Sequence, residues 1–380
     1  MEAPDRRWAW SEIDLEAVAT NVRALKARLR PETMFMAVVK ADGYGHGGHE
    51  VARAALAAGA DRIGVATLDE ACRLRAAGIT APIHLLSETP PVAAPVVVER
   101  DLTPTLFTVA YAEALSSAAA RASRTAGFHL KLDTGMGRIG VRAEDALDLV
   151  MDLRGLPGLR LDGVFTHFAT ADVPGDWEFD RQLERFNEAV RALREAGIDP
   201  GVVHAANSPA TILHPEAHFD MVRCGIAIYG LHPADSTHGV VDLVPAMSVK
   251  ARVSRVARLG MGDGVSYGFT WHASAPTTVA TLPLGYADGV RRSLSGQIDV
   301  LIGGRRCRQI GRICMDQLMV EVPRGLDVSV GDEAVLVGRQ GGETLTIEDQ
   351  AALAGTIDYE IACGYGARLA RVYRPAPESR

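Results

Sequence analysis

The stretch MFMAVVKADGYGHGGHEVARAALAAGADRIGVAT, residues 34–67, contains the repeating unit of this fold. The apolar run at 34–39 is typical of a strand that is buried on both faces. Residues 50–58 are rich in strong helix formers and end at Gly59, and a second apolar run follows at 62–67. A strand, a helix and a strand in this order predict a β-α-β unit with parallel strands.

The same unit recurs over the first two thirds of the chain. A helix with apolar residues at spacings of three and four comes first, from Leu15 to Leu29, with Asp14 as its N-cap. The predicted strands share a short apolar run and lie at 34–39, 62–67, 82–87, 103–108, 128–133, 163–168, 202–207 and 221–226. Between them, the predicted helices include 68–77, 111–121, 145–153 and 178–195.

Eight such repeats favour an α/β fold, an eight-stranded parallel (β/α)8 barrel. A doubly wound open sheet is the alternative, but no GxGxxG motif follows the first strand. Past Pro245 the pattern changes to short β-rich runs with glycine-containing turns at 248–259, 277–284, 299–302, 309–313, 318–322 and 333–337, with one helix near 347–353. We therefore predict a barrel over 12–245 and a mostly-β domain over 246–380, on which segment 1–11 packs.

Composition and charge narrow the classes of function. The 380 residues are 47% hydrophobic and 23% charged with a net charge of −7, so no broad attraction to nucleic acid or an anionic membrane is expected. No apolar stretch approaches the ~20 residues of a membrane span, and the N-terminus lacks a signal-peptide core, which predicts a cytoplasmic protein. The five cysteines include no CxxC pair, and the histidine pairs 46/49 and 214/218 lack a third ligand. We predict no metal site and a small-molecule partner.

Lys40 is the first residue with a clear chemical implication. It follows the apolar run at 34–39, and a charged lysine in a core must be paired, reach solvent or serve a function. At the C-terminal end of a barrel strand it lies on the face that carries active sites. Position alone leaves a catalytic and a paired structural lysine equally open. The loop that follows contains several glycines and Tyr44, whose hydroxyl could approach a phosphate.

The sequence around Lys40 resembles a known family. VVKADGYGHG at 38–47 is similar to the cofactor-lysine motif of alanine racemases, in which the lysine holds pyridoxal 5'-phosphate as a Schiff base. Further segments that resemble this family occur in the same order: KLDTGMGRIG at 131–140, THFATAD at 166–172, AANSPAT at 205–211, RCGIAIYG at 223–230, VSYGFTW at 265–271, LPLGYADG at 282–289 and GRICMDQ at 311–317. The resemblance spans almost the whole chain and implies a barrel, a β domain and a homodimer with shared active sites.

The resemblance also implies the reaction, the interconversion of L-alanine and D-alanine, which supplies D-alanine for peptidoglycan. Inverting a stereocentre needs one base on each face, and the cofactor provides the electron sink. By resemblance, Lys40 acts on D-alanine and Tyr267 acts on L-alanine from the partner subunit. Unperturbed pKa values of both are near ~10, so neighbouring cations or burial must lower them. For Tyr267 the family's network passes through His167 to Arg223.

Arg223 matches an arginine that faces the pyridine nitrogen of the cofactor. Because an arginine with a pKa above ~12 keeps its proton, the ring nitrogen should stay unprotonated. This weakens the electron sink, favours rapid reprotonation and suppresses transamination. The phosphate is expected to be held by Tyr44, Ser208 and the backbone N–H groups of Gly225 and Ile226.

The substrate carboxylate should bind Arg138 through its side chain and Met315 through its backbone amide. The alternative for Arg138 is a surface ion pair with Asp133 or Glu144. Lys131 matches a lysine that some family members carry as a carbamate, which would turn a repelling cation into an anion able to orient Arg138.

Tyr286 and Asp316 are expected to shape the pocket and its entry, and Cys314 lies beside them without a catalytic step. The chain departs from the family near its C-terminus, where Ala367 stands in place of a phosphate-binding tyrosine. Tyr365 is two residues away, so we do not transfer the role to it, and phosphate affinity is the property in question.

Other enzymes of this barrel type remain as alternatives. A serine or broad-specificity racemase would use the same chemistry with a different pocket size. Pyridoxal-phosphate decarboxylases would show a glycine-rich phosphate motif and a carboxylate at the pyridine nitrogen, whereas this chain has Arg223. A non-catalytic cofactor carrier would consist of the barrel alone, without the β domain that carries Tyr267.

Overall fold

The computed structural model describes residues 7–374 and contains two compact units. One unit comprises residues 17–43 and 48–244. The other combines, among the described residues, 7–16, 44–47 and 245–374. Of the predicted N-terminal segment 1–11, residues 1–6 lie outside the described residues.

The first unit is a parallel β/α barrel. Its strands, here called the first to the eighth barrel strand, are Met34–Val38, Arg62–Val65, Ile83–Leu85, Thr105–Leu106, Ala126–Asp133, Leu159–Phe165, Val202–His204 and Met221–Cys224. Each pairs in parallel with its successor in sequence, and the eighth pairs with the first. Between the third and fourth strands the ladder continues through His84 and Thr103. The predicted barrel is confirmed, and all of the predicted strands overlap observed ones.

Helices alternate with the barrel strands along the chain, and the first helix precedes the first strand. They are Leu15–Lys26, Gly48–Ala57, Leu68–Ala76, Ala94–Glu99, Val109–Arg121, Ala146–Leu153, Trp177–Glu195 and Ser208–Leu213. Local side chains define where they begin. The Thr67 hydroxyl accepts from the backbone of Glu70 while the Glu70 carboxylate accepts from the backbone of Thr67, a capping box that satisfies two otherwise unpaired N–H groups. Asp14 caps the first helix, as predicted, by accepting the N–H of Glu16 at 3.0 Å.

The second unit is mostly β-sheet, as predicted. Its strands are Ala9–Asp14, Met247–Arg252, Arg255–Leu259, Gly264–Val265, Trp271–His272, Thr277–Leu282, Asp299–Ile302, Arg305–Ile310, Leu318–Val322, Glu333–Gln340, Glu343–Leu345 and Ala370–Arg374, and its helices are Ile347–Ala354 and Asp358–Gly364. The run predicted at 248–259 is two strands with different partners. Ala9–Asp14 lies between Met247–Arg252 and Ala370–Arg374, so the two ends of the chain share one sheet.

Candidate active site

Lys40 lies two residues beyond the last residue of the first barrel strand, where the backbone takes an uncommon path. Ala41, Asp42 and Gly43 have φ of 52°, 52° and 63°, and Tyr44 continues at 51°, so four consecutive residues are left-handed. Each non-glycine residue in this region costs roughly 1–2 kcal/mol. Hydrogen bonds hold the turn in place, including one from the N–H of Gly48 to the Asp42 carboxylate at 2.8 Å. Backbone strain is therefore concentrated immediately after the predicted catalytic lysine.

Four cations converge on His167 in the barrel unit. Burial first, and then the charges of Arg223, Arg138, Lys131 and Lys40, hold the pKa of the His167 imidazole well below its usual range. Its ring is therefore neutral at physiological pH. Predicted site residues of four different barrel segments thus act on one another, and their excess of basic groups suits an anionic ligand.

Arg223 is buried, and both terminal nitrogens of its guanidinium make hydrogen bonds within the barrel unit. Its Nη2 donates to the carbonyl oxygens of Thr166 at 2.8 Å and Ala205 at 3.0 Å and to Nδ1 of His167 at 3.2 Å. Its Nη1 donates to Nδ1 of His204 at 3.1 Å. Burial lowers the pKa of Arg223 to about 9, below the value above 12 that the sequence suggested. The group still carries its charge at neutral pH.

Lys131 lies in the barrel unit with only 3% of its surface exposed. Its Nζ donates to the carbonyl of Leu132 at 2.6 Å and sits 5.4 Å from the centroid of the Phe165 ring. Burial, and then the charge of Arg223, lowers the pKa of Lys131 to about 7. A considerable fraction of this amine is therefore uncharged at neutral pH.

Arg138 is exposed, and the carboxylates considered as its alternative partners are engaged elsewhere. The Glu144 carboxylate accepts from Nε of Arg142 at 2.6 Å. The Asp133 carboxylate accepts the backbone N–H of Gly135 at 3.0 Å. The guanidinium of Arg138 is thus available for a ligand.

Ser208 and Gly225 meet beyond the ends of the seventh and eighth barrel strands. The N–H of Gly225 donates to the Ser208 hydroxyl at 3.0 Å, and Gly225 precedes the short 3-10 helix Ile226–Tyr229. The predicted phosphate-binding residues Ser208, Gly225 and Ile226 therefore lie together on the C-terminal face of the barrel, where ligands of this fold bind.

Tyr267 belongs to the second unit, at the tip of a two-stranded ribbon made by Gly264–Val265 and Trp271–His272. It is 71% exposed in the single chain. Ser266 before it has a φ of 65°, and its hydroxyl donates to the carbonyl of Arg312 at 2.6 Å. The ribbon tip is therefore tied to the segment that leads to Met315.

Tyr286, Cys314 and Met315 are held together by backbone contacts. The N–H of Tyr286 donates to the carbonyl of Cys314 at 2.9 Å, and the N–H of Ala287 donates to that of Met315 at 3.1 Å. A Cβ atom at Gly285 would lie 2.3 Å from both carbonyl oxygens, so only glycine allows this approach. Met315 is 52% exposed, and the pairing fixes the backbone beside its amide.

Asp316 is positioned by a chain of ion pairs that the sequence did not reveal. Arg368 binds Asp316 at 2.7 Å and lies 3.5 Å from Asp288. Asp288 is completely buried and accepts two hydrogen bonds of 2.7 Å from Arg7. The signal was a carboxylate within the glycine-rich segment LPLGYADG, a type of residue that is rarely buried without a cation.

Tyr365 and Tyr44 differ in what their hydroxyls can do. The Tyr365 hydroxyl donates to the side-chain carbonyl of buried Gln350 at 2.6 Å, so it is already engaged within the second unit. The Tyr44 ring is buried with its centroid 6.1 Å from that of Tyr359. Burial raises the pKa of the Tyr44 phenol, which therefore remains a hydrogen-bond donor.

Comparison with known proteins identifies the family of this chain. Its residues 13–233 match the profile of the alanine racemase N-terminal domain, and residues 246–373 match that of the C-terminal domain. The chain belongs to the alanine racemase family. It is 48% identical to the alanine racemase of Symbiobacterium thermophilum over 98% of this chain and 99% of that one.

Solved structures agree with this assignment. The crystal structure of alanine racemase from Bacillus anthracis with bound L-Ala-P superposes with a TM-score of 0.92 at 40% identity, covering 97% of this chain and 95% of that one. A histidine racemase from Leuconostoc mesenteroides gives 0.89 at 31% identity, covering 97% and 98%. This racemase is therefore a pyridoxal-phosphate-dependent isomerase that interconverts L-alanine and D-alanine, as the motifs predicted.

Two further observations concern the described part of the racemase. None of its helices is long and apolar enough to cross a membrane. Within residues 7–374, no cluster of three or more His, Cys, Asp or Glu side chains is placed to hold a metal ion.

His204 is a functional residue that was not predicted from the sequence, and it binds Arg223 directly. Its signal was a histidine within a predicted buried strand, where an imidazole needs a polar partner.

Proposed function

We propose that this racemase inverts alanine with two bases, Lys40 and Tyr267, around a cofactor held at the C-terminal face of the barrel. The observation that carries the proposal is the hydrogen bond from Arg223 to His167 at 3.2 Å, on an imidazole whose pKa is also lowered by the charges of Arg138 and Lys40. An amine, a buried guanidinium and an exposed guanidinium thus act on one ring. Each has a distinct partner in pyridoxal phosphate or in an amino acid.

The residues present fit pyridoxal 5'-phosphate by the chemistry of their donors. Lys40 supplies the amine for covalent attachment, and the Ser208 hydroxyl, the Tyr44 hydroxyl and the N–H groups of Gly225 and Ile226 can donate to a phosphate. When bound, the cofactor supplies an electron sink for the pair left on the α-carbon after proton removal. Arg223 would donate an N–H to the ring nitrogen, and it is held as a cation by its ordinary preference for the proton.

His167 connects the guanidinium to the second base. Because arginine only donates, Nδ1 of His167 must accept from Arg223, and its ring proton is therefore on Nε2. An N–H at that position can stabilise a tyrosinate. Tyr267 would accept the α-proton of L-alanine at its oxygen, while Nζ of Lys40 serves the opposite face.

The exposure of Tyr267 supports its action on a second copy of the chain. Tyr267 and Phe269 are 71% and 61% exposed at the same ribbon tip, and adjacent exposed aromatic side chains are typical of a surface that a partner covers. We therefore propose a homodimer in which Tyr267 completes the site of the partner.

The substrate carboxylate would bind the Arg138 guanidinium and the N–H of Met315. Lys131 supports this arrangement as a carbamate: its neutral Nζ attacks CO2, an N–C bond forms, and one proton leaves. The product is an anion that faces the charges of Arg223 and Arg138, which otherwise destabilise a charged lysine.

Mixing two inactive variants tests the shared site. In a heterodimer of Lys40→Ala and Tyr267→Phe chains, one site carries both changes and the other carries neither. If sites are shared, refolding the variants together restores about a quarter of wild-type activity by random pairing. Activity that stays at the level of the separate variants would show that Tyr267 acts within its own chain or has no such role.

A serine or broad-specificity racemase remains the alternative, and the observation in its favour is the match to a histidine racemase. It would use the same bases and differ in pocket size. Comparing kcat/KM for L-alanine, L-serine and L-histidine decides between the two. We expect alanine to be preferred by at least about tenfold, since one extra side-chain group changes a pocket's discrimination by roughly that factor or more.

A further inference from the structure

Three buried histidines lie behind Arg223 inside the barrel. His84, His129 and His204 come from the third, fifth and seventh barrel strands and are at most 1% exposed. Their ring centroids are 4.7 Å apart for His84 and His129, 5.0 Å for His129 and His204, and 5.9 Å for His84 and His204. Alternate strands supply one interior layer of such a barrel, and that layer is ordinarily aliphatic.

The hydrogen bonds of this layer run in one direction. Arg223 can only donate, so Nδ1 of His204 must accept from it at 3.1 Å. Burial and the charge of Arg223 hold the pKa of His204 well below its usual range, so the ring is neutral with its proton on Nε2. That Nε2 lies 2.8 Å from Nδ1 of His129 and donates to it. The neutral ring of His129 then carries its proton on Nε2.

His84 has a complementary orientation. The Thr105 hydroxyl donates to the carbonyl of Leu85 at 2.6 Å, so it accepts from Nε2 of His84 at 3.3 Å. This leaves Nδ1 of His84 as an acceptor. Among the described residues, that atom and Nε2 of His129 are buried without a hydrogen-bond partner. One is an acceptor and the other a donor, on neighbouring rings.

The backbone is shaped to seat His129. A Cβ atom at Gly163, on the sixth barrel strand, would lie 2.7 Å from both Nδ1 and Cε1 of the His129 ring. The Phe165 ring is stacked on His204 at 4.8 Å with an interplanar angle of 4°. The rings of His204 and His129 are thus held in defined positions by the sixth barrel strand, which lies beside both of their strands.

We propose that His129, with His84 behind it, is a positioning residue that holds His204 in the tautomer able to accept from Arg223. The guanidinium of Arg223 is thereby held in position by the neutral ring of His204, and no carboxylate of the described residues neutralises its charge there. The functional part of this inference rests on the proposed role of Arg223 toward the cofactor. The tautomer assignment does not.

The first test is imidazole nitrogen NMR on 15N-histidine-labelled wild-type protein. We expect neutral Nε2–H rings for His84, His129 and His204, unchanged between pH 6 and 9. A protonated His204, or one with its proton on Nδ1, would overturn the proposal whatever the enzyme does. This measurement needs no variant to fold.

The second test compares His129→Phe with His129→Asn, whose side-chain oxygen keeps an acceptor near the position of Nδ1. Loss of such a supporting group lowers activity by about 10- to 100-fold, and we expect this in kcat, with KM for alanine changed less than about twofold. His129→Phe should also shift the His204 nitrogen signals. His129→Asn should restore both kcat and these signals.

The matched control is His218→Phe, a buried histidine whose Nε2 binds the carbonyl of Thr211 at 3.0 Å. It should leave the His204 signals and KM unchanged. His204 signals and kcat that both stay at the wild-type values in His129→Phe would refute the positioning role. If the His204 signals shift in His129→Phe but kcat does not respond, the proposed function of Arg223 is the part that fails.

Discussion

At the scale of single residues, burial changes the chemistry of Lys131 more than its type does. The chain places this amine in the barrel unit, where the charge of Arg223 disfavours its proton, the Asp133 carboxylate partly offsets that charge, and Arg138 adds a smaller opposing charge. Desolvation penalises the charged form, which is why the pKa of Lys131 falls to about 7. An exposed lysine would be almost fully protonated and unreactive toward CO2.

We predict that wild-type protein equilibrated with 13C-bicarbonate near pH 8 shows a single carbamate signal, because half or more of the Lys131 amine is then unprotonated. Lys131→Gln should lose the signal, and the other lysine side chains should add no carbamate signal of their own. Dialysis against CO2-free buffer should abolish it and raise KM for alanine. A wild-type spectrum without a carbamate resonance would contradict the proposed state of Lys131.

At the residue level, functional side chains that belong to a motif could be predicted from the sequence. Side chains that act only through contacts with their neighbours could not. Lys40, His167 and Arg223 stand in recognisable segments. His84 and His129 are single letters within apolar strands, and only the closed barrel shows that they share one layer with His204.

At the scale of elements, the turn after Lys40 is the part of the fold least expected from propensity. Left-handed backbone favours glycine, yet Ala41, Asp42 and Tyr44 adopt it alongside Gly43. Strands were predicted well because each is a continuous apolar run. Ala9–Asp14 and Ala370–Arg374 were missed because they are strands through pairing with segments distant in sequence: Ala9–Asp14 pairs with Met247–Arg252 and with Ala370–Arg374.

We predict that Ala41→Gly raises the free energy of unfolding by about 1 kcal/mol, since glycine removes the steric cost of the left-handed conformation. Ala54→Gly, within the helix Gly48–Ala57, is the matched control and should lower it by about 1 kcal/mol. Urea unfolding of the three proteins measures both changes. Destabilisation by Ala41→Gly as large as that by Ala54→Gly would show that the turn carries no such strain.

At the scale of the whole molecule, the buried histidine layer sets an acid limit to stability. Burial holds the pKa of His84 and His204 well below the usual value and lowers that of His129 to about 3. Below pH ~6.5 the unfolded chain binds protons at these residues and the folded chain does not, so stability falls as the pH decreases. Above that pH these groups contribute no further dependence.

We therefore predict that the free energy of unfolding decreases by about 1.4 kcal/mol per pH unit for each of these residues below pH ~6. His84→Val removes one of them and should make the slope between pH 6 and 5 shallower by about that amount. Urea unfolding at several pH values measures the slopes. An unchanged slope in the variant would mean that His84 titrates normally in the folded protein.

The account as a whole depends on two bases that act on opposite faces, and proton exchange in heavy water tests this most directly. Wild-type protein should wash out the α-proton of L-alanine and D-alanine, with racemic product in both cases. Tyr267→Phe should retain exchange from D-alanine, through Lys40 and without inversion, and lose exchange from L-alanine. Tyr111→Phe, a buried tyrosine outside the site, should behave as wild type. If Tyr267→Phe loses exchange equally from both enantiomers, or loses it from neither, the two-base assignment is contradicted.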